Sequence, residues 1–258
     1  KGAGDVVIKN GTIAANNDSV KIIIQNYANT TLEDVTVKGE EVDYAMSNNC
    51  GNISIEGNTS IEGKMDVSYW PSAYEGGARV TVNTTGTIDA IELGFYGLNG
   101  TITEPAEAID VLNLQKGTVN ELSVYAPTSG KYAFSNVTVS ELMTKAKVSK
   151  AEDVALEAPE GYRWNSNNNL VPVTDAVAEI GDTEYATLEA AIASINNNNG
   201  ATVTLLSDTT VSAPIKIRWK TTLDLGDYTI TADPEGNWDT NNNFMVFYLL
   251  GANAKVTV

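Results

Sequence analysis

The chain is built from short β-rich runs of four to six residues that recur from one end to the other. They include Asp5-Val6-Val7-Ile8, Val20-Lys21-Ile22-Ile23-Ile24, Leu32 to Val37, Asn52 to Ile55, Arg79 to Val82, Asn136-Val137-Thr138-Val139 and Lys255 to Val258. β-branched residues at alternate positions suit strands with one face buried. Between the runs stand Asn10-Gly11-Thr12, Thr85-Gly86-Thr87, Asn99-Gly100-Thr101 and Lys116-Gly117-Thr118. Gly and Asn there supply the left-handed backbone that a sharp corner needs.

Val-Thr-Val-like cores begin at Val35, Ile53, Val80 and Val137 and so recur only loosely, as in a solenoid whose turns vary in length. A β-sandwich would show hairpin turns at steadier spacing. Here Asn10-Gly11, Asn99-Gly100 and Lys116-Gly117 run on into Thr-Ile or Thr-Val, which fits a corner between two β-faces. The expected fold is therefore all-β, a right-handed parallel β-helix with a short capping α-helix near 187–196. Asparagine is frequent, at Asn16-Asn17, Asn48-Asn49, Asn167 to Asn169, Asn196 to Asn199 and Asn241 to Asn243. Most of these runs read as turns. Asn48, Asn49 and Asn136 are candidates for amide ladders between stacked strands.

The pattern breaks between Ala151 and Asp175. Ala158 to Trp164 and the polar Asn165 to Asn169 read as a closing turn or hairpin, followed by Leu170-Val171-Pro172-Val173. Two segments result: residues 1–174, the later coils and closing segment of one β-helix, and residues 175–258, the start of a second. In the second, Ile180 and Tyr185 flank Gly181-Asp182 as in a small hairpin. Thr187 then suits an N-cap, and Leu188, Ala191, Ile192 and Ile195 form one apolar helical face. Asn196 to Gly200 end the helix, and strands resume at Ala201 to Leu206, Thr222 to Gly226 and Asp227 to Ile230. A helix at that point would cover the open end of a solenoid.

Composition narrows the function. The 33 acidic residues outnumber the 16 Lys and Arg, for a formal charge of −17, and the only arginines are Arg79, Arg163 and Arg218. Nucleic acid and anionic membrane surfaces are disfavoured, because both are bound mainly through Lys and Arg. The longest apolar run, Phe244 to Leu250, has the length of a buried strand, and no membrane insertion is expected. There is no histidine, and the single Cys50 permits no internal disulfide, so Cys50 reads as a small buried hydrophobe. Lys1 stands inside patterned sequence, so the chain reads as a fragment whose targeting signals lie elsewhere.

Residues Ala178 to Leu225 resemble the start, and residues 1 to about 150 the later coils, of the right-handed parallel β-helix domains, pectin-lyase-like in fold, of bacterial secreted and cell-surface proteins. The resemblance implies an extracellular location and a fold shared with polysaccharide lyases and glycoside hydrolases. The His and Arg sets of those enzymes are missing here, so no catalytic residue and no cofactor is assigned.

Three functional readings stand. The first is a non-enzymatic structural or adhesive module, part of a longer or tandem-repeat surface protein, whose partners are surface glycans, a host or cell-surface protein, or further copies stacked end to end. The second is a carbohydrate-binding or polysaccharide-degrading domain, with Tyr69, Trp70, Tyr74 and Trp238 as the aromatic residues placed to stack on sugars. The third is a phage tail-fibre or tail-spike segment. Asp233, Glu235, Asn237 and Asp239 alternate as in a calcium loop, but Trp238 stands where an EF-hand has its turn glycine, so a polar excursion is favoured over a metal site.

Overall fold

The computed structural model describes residues 4–16, 19–49, 51–71, 78–97, 107–127, 132–134, 137–233, 235–236, 238 and 245–258. It is mostly β, with two short helices, and divides into two compact units. The first comprises Lys1–Trp164 and Asn168–Pro172; the second comprises Asn165–Asn167 and Val173–Val258.

In the first unit the strands are β1 (Asp5–Ala14), β2 (Ile22–Asn26), β3 (Asn29–Gly39), β4 (Tyr44–Asn48), β5 (Gly51–Gly57), β6 (Ser60–Tyr69), β7 (Ala78–Phe95), β8 (Ile109–Tyr125) and β9 (Ala146–Lys150). They form one sheet system in which every pairing is parallel. Register carries apolar side chains directly over one another. Thr30, Ile53, Val80, Leu112 and Val148 make one row, and Leu32, Ile55, Val82 and Leu114 the next. Val37, Ile61, Ile88 and Val119 make a third, and Met46, Met65, Ile91 and Leu122 a fourth. All of these are buried. Removing a Leu, Ile or Val side chain from water contributes about 1.5–3 kcal/mol, so the rows supply the main favourable term.

The expected corners prove to be bends inside long strands. Residues 29–33 of β3 pair with β5 and residues 36–39 with β6, and between the two sets Asp34 takes φ +57°. Asn10 does the same in β1 at φ +56°. Thr85-Gly86-Thr87 and Lys116-Gly117-Thr118 lie within β7 and β8, while Asn99-Gly100-Thr101 falls outside the described residues.

Two sequence expectations are corrected. Val139 does not continue a strand; it opens helix α1 (Val139–Met143), whose N-cap Thr138 forms a reciprocal capping box with Glu141. Two otherwise orphan N–H groups gain partners in that arrangement, which outweighs the β preference of Val-Thr-Val. Val20 to Ile24 is also only half-buried on its apolar side, because β2 pairs with β4 alone among the described strands. The unit ends in an antiparallel pair, β10 (Tyr162–Trp164) with β11 (Leu170–Pro172).

The second unit opens with the antiparallel pair β12 (Ala178–Ile180) and β13 (Thr183–Tyr185) around Gly181, which has φ +60°. Helix α2 (Leu188–Ser194) follows, and the Thr187 hydroxyl accepts the Ala190 N–H at 3.1 Å. Leu188, Ala191, Ile192 and Ile195 are buried as the spacing predicts. Seven strands complete the unit: β14 (Ala201–Leu205), β15 (Thr209–Val211), β16 (Ile215–Ile217), β17 (Lys220–Asp224), β18 (Ile230–Ala232), β19 (Phe247–Leu249) and β20 (Lys255–Thr257). Among themselves they pair in parallel, as β14–β17–β20, β15–β18 and β16–β19, while β14 also pairs antiparallel with β12.

The run ending at Leu250 is not buried on both faces. Val246 and Phe247 pack on the core of this unit, but Tyr248 is exposed and Leu249 is 48 % exposed. The physical reason is that β19 pairs only with β16 among the described strands. Phe244 and Cys50 lie outside the described residues. Among the described residues, no helix is long and apolar enough to cross a membrane.

Candidate functional site

On the strand face opposite the core, several side chains pair with those of neighbouring strands. Lys9 pairs with Glu33, Lys38 with Glu62 at 4.0 Å and Lys64 with Glu92 at 3.0 Å. The ladder Asp5–Asn29–Asn52 runs over three neighbouring strands, with Asn29 donating to Asp5 at 3.1 Å and Asn52 donating to Asn29 at 3.0 Å. One region of the first unit departs from this pattern.

There the row Ser47–Asp66–Glu92–Ser123 crosses β4, β6, β7 and β8. Asp66 is only 5 % exposed. Its Oδ2 accepts the hydroxyls of Ser68 at 2.5 Å and Ser47 at 2.8 Å, and its Oδ1 accepts that of Tyr125 at 3.2 Å. Burial nevertheless pushes its pKa up, against the pull of those three bonds. Glu92 accepts the Tyr44 hydroxyl at 3.0 Å and faces Lys64. Burial raises the Tyr44 hydroxyl to about 12 and raises Tyr96 and Tyr125 as well, so all three phenols are neutral donors at physiological pH.

A group of aromatic rings joins this row through the Tyr125 hydroxyl. Trp70 and Tyr96 follow β6 and β7 and stack at 4.8 Å with planes 15° apart, about the spacing of neighbouring strands. Tyr132 stands edge-on to both, and Tyr125 edge-on to Tyr96, whose hydroxyl meets that of Tyr125. Gly94 lies beneath, where a Cβ would come within 2.7 Å of the Tyr96 ring and 2.8 Å of the Tyr125 hydroxyl.

The residues proposed from sequence separate. Trp70 is half-buried in this cluster, but Tyr69 is fully buried on the core side, its ring edge-on to Phe95 at 5.7 Å. Tyr69 therefore presents no face to a sugar, because adjacent residues of a strand point to opposite sides and it takes the inner one. Tyr74 lies outside the described residues. Trp238 packs on the core of the second unit and donates its indole N–H to the Asp233 carbonyl at 2.6 Å, a structural use of both its apolar body and its polar edge. Asp233 accepts the Glu235 N–H at 2.9 Å in a local turn, and Asn237 and Asp239 fall outside the described residues. Among the described residues, no three His, Cys, Asp or Glu side chains are grouped to hold a metal.

Sequence reasoning missed Tyr44, Asp66, Glu92, Tyr96, Tyr125 and Tyr132. The one available signal was Asp66 and Ser68 at alternate positions of an otherwise apolar run; the pairing across strands has no sequence mark. The chain matches no family model, no curated protein and no solved structure.

Proposed function

We propose that the chain is a non-enzymatic structural or adhesive module of an extracellular surface or fibre protein, its parallel strands wound as successive coils of a right-handed β-helix. The observation that carries this reading is the register of the first unit. Apolar rows pass from strand to neighbouring strand always in parallel, and parallel neighbours require crossovers that are almost always right-handed. Such a scaffold is stiff along its stack and holds side chains at fixed spacing, which is what display or adhesion asks of it.

The polar groups support the non-enzymatic part. Asp66, the carboxylate with the most perturbed setting, has both oxygens engaged by hydroxyls and is almost wholly covered. A general acid has to reach its substrate. Incubation with neutral and uronic-acid polysaccharides should release no reducing ends and no unsaturated product. Turnover that disappears on replacing Asp66 or Glu92 would overturn the reading.

Carbohydrate contact is the second reading, and the grouping of Trp70, Tyr96 and Tyr132, with the Tyr96 hydroxyl on that of Tyr125, favours it, since grouped aromatic faces with a polar edge suit sugars. A glycan array probed with the parent and with Trp70→Ala tests it: a signal in the parent that the variant loses supports contact, and equal signals remove it.

A further inference from the structure

β7 and β8 run side by side with Tyr125 next to Gly94, and two residues beyond Gly94 the Tyr96 ring reaches the Tyr125 ring. The two hydroxyls meet, and the rings stand edge-on, their planes at 87° and their centroids 6.0 Å apart. Both rest on Gly94, where an added Cβ would come within 2.7 Å of the Tyr96 ring and 2.8 Å of the Tyr125 hydroxyl. The pair has partners on both sides. Tyr125 donates to Asp66 Oδ1 at 3.2 Å while its own oxygen can accept from Tyr96, so the three groups form a line from phenol to phenol to carboxylate. Trp70 stacks on Tyr96 at 4.8 Å and, like Tyr96 and Tyr125, is half-buried, so the cluster meets solvent at its rim.

We infer that Tyr96 and Tyr125 form a modification site, at which a one-electron oxidant couples them into a dityrosine whose Cε–Cε bond staples β7 to β8. Each phenol gives one electron to the oxidant and its hydroxyl proton to a base, which for Tyr125 is Asp66. The unpaired electron of each phenoxyl spreads onto the ring carbons beside the oxygen, and two such carbons, one from each residue, join. Each then gives up its hydrogen as a proton while the oxygen takes a proton back, which restores both rings. Two electrons and two protons leave in all. Tyr132 is nearly as close to Tyr96, with centroids 6.2 Å apart. Coupling, however, joins carbons beside the hydroxyls, and the hydroxyl that meets that of Tyr96 belongs to Tyr125. The bond closes a loop in the unfolded chain and so favours the folded one, as a disulfide does, in a chain whose single cysteine permits no internal disulfide. The inference rests on the register of the first unit and on neither functional reading above.

Photo-oxidation of the intact chain with ruthenium tris-bipyridyl and persulfate tests it, each persulfate accepting two electrons as it becomes two sulfates. Trypsin cuts after Arg79, Lys116 and Lys131, so Tyr96 is the one tyrosine of residues 80–116 and Tyr125 the one tyrosine of residues 117–131. Mass spectrometry should find these two peptides joined and lighter by two hydrogens than their sum, with dityrosine fluorescence. The yield per chain should be independent of protein concentration and should be lost in urea that unfolds the chain. Tyr96→Phe and Tyr125→Phe should each abolish the joined pair, with circular dichroism checking that both variants fold. A parent that consumes the oxidant without joining these peptides, or that joins either of them in greater amount to a peptide holding Tyr44, Tyr69 or Tyr132, would overturn the inference. So would a pair whose yield rises with protein concentration or is unchanged in urea.

Discussion

Asn26 donates its side-chain N–H to the Oδ1 of Asn48 at 2.8 Å, joining two buried amides at register positions on the neighbouring parallel strands β2 and β4. Asn26 also donates to the Ala28 carbonyl at 2.9 Å and accepts from the Thr30 hydroxyl at 2.7 Å. Asn26→Ala takes this partner from the buried Asn48 amide oxygen and the Thr30 hydroxyl, and the expected cost is about 1–3 kcal/mol. Urea unfolding measures it, and an unchanged midpoint would mean that the ladder is not formed.

Gly86 lies where β7 turns past the Thr59 backbone. A Cβ there would sit 2.1 Å from the Thr59 carbonyl oxygen and 2.6 Å from its carbon. Backbone atoms cannot swing aside as a side-chain tip can, so Gly86→Ala should destabilise the first unit by about 1–3 kcal/mol, the range of overpacking. A melting temperature equal to that of the parent would show that the strands lie farther apart.

Asp66 gives a pH signature. Its pKa is raised in the folded chain above the ordinary value of 3.8, chiefly by burial. The folded state therefore binds more protons than the unfolded state between those two values. That contribution to stability is full below 3.8 and is lost as pH rises through the raised value. Asp66→Asn removes it, so the stability of the variant relative to the parent should increase with pH across the window. Melting curves at several pH values check this, and a constant difference contradicts it.

Burial separates two apolar residues that look equivalent in the sequence. Ile91 is wholly buried in its row, whereas Leu249 is 48 % exposed above Ile217. Ile91→Ala should cost about 2–5 kcal/mol, and Leu249→Ala about 0.5 kcal/mol or less, as at a surface position. Equal losses would contradict the assignment of these two strands.

Local signals were legible where one stretch of chain satisfies itself. Thr187 with the spacing of Leu188, Ala191, Ile192 and Ile195 gave α2, and Gly181 gave the β12–β13 turn. The error at Val137 to Val139 came from weighing β-branched residues above Thr138 and Glu141, which are spaced for a capping box. The aromatic and acidic cluster was not legible. Asp66, Glu92 and Tyr125 are far apart in the chain and meet only because loops of different lengths bring their strands into register. Tyr69 and Trp70 show the same limit, since Tyr69 ends β6 inside the core while Trp70, the next residue, joins the aromatic cluster.

Inter-strand nuclear Overhauser contacts around Ser54 test the parallel stack most directly. Ser54 on β5 is placed between Thr31 on β3 and Thr81 on β7, both in parallel register. Parallel register predicts amide-to-Hα cross-peaks from Ser54 to residues beside Thr31 on one side and beside Thr81 on the other. Strong Hα–Hα cross-peaks joining β5 to a strand adjacent in sequence, the mark of antiparallel hairpin pairing, would contradict it.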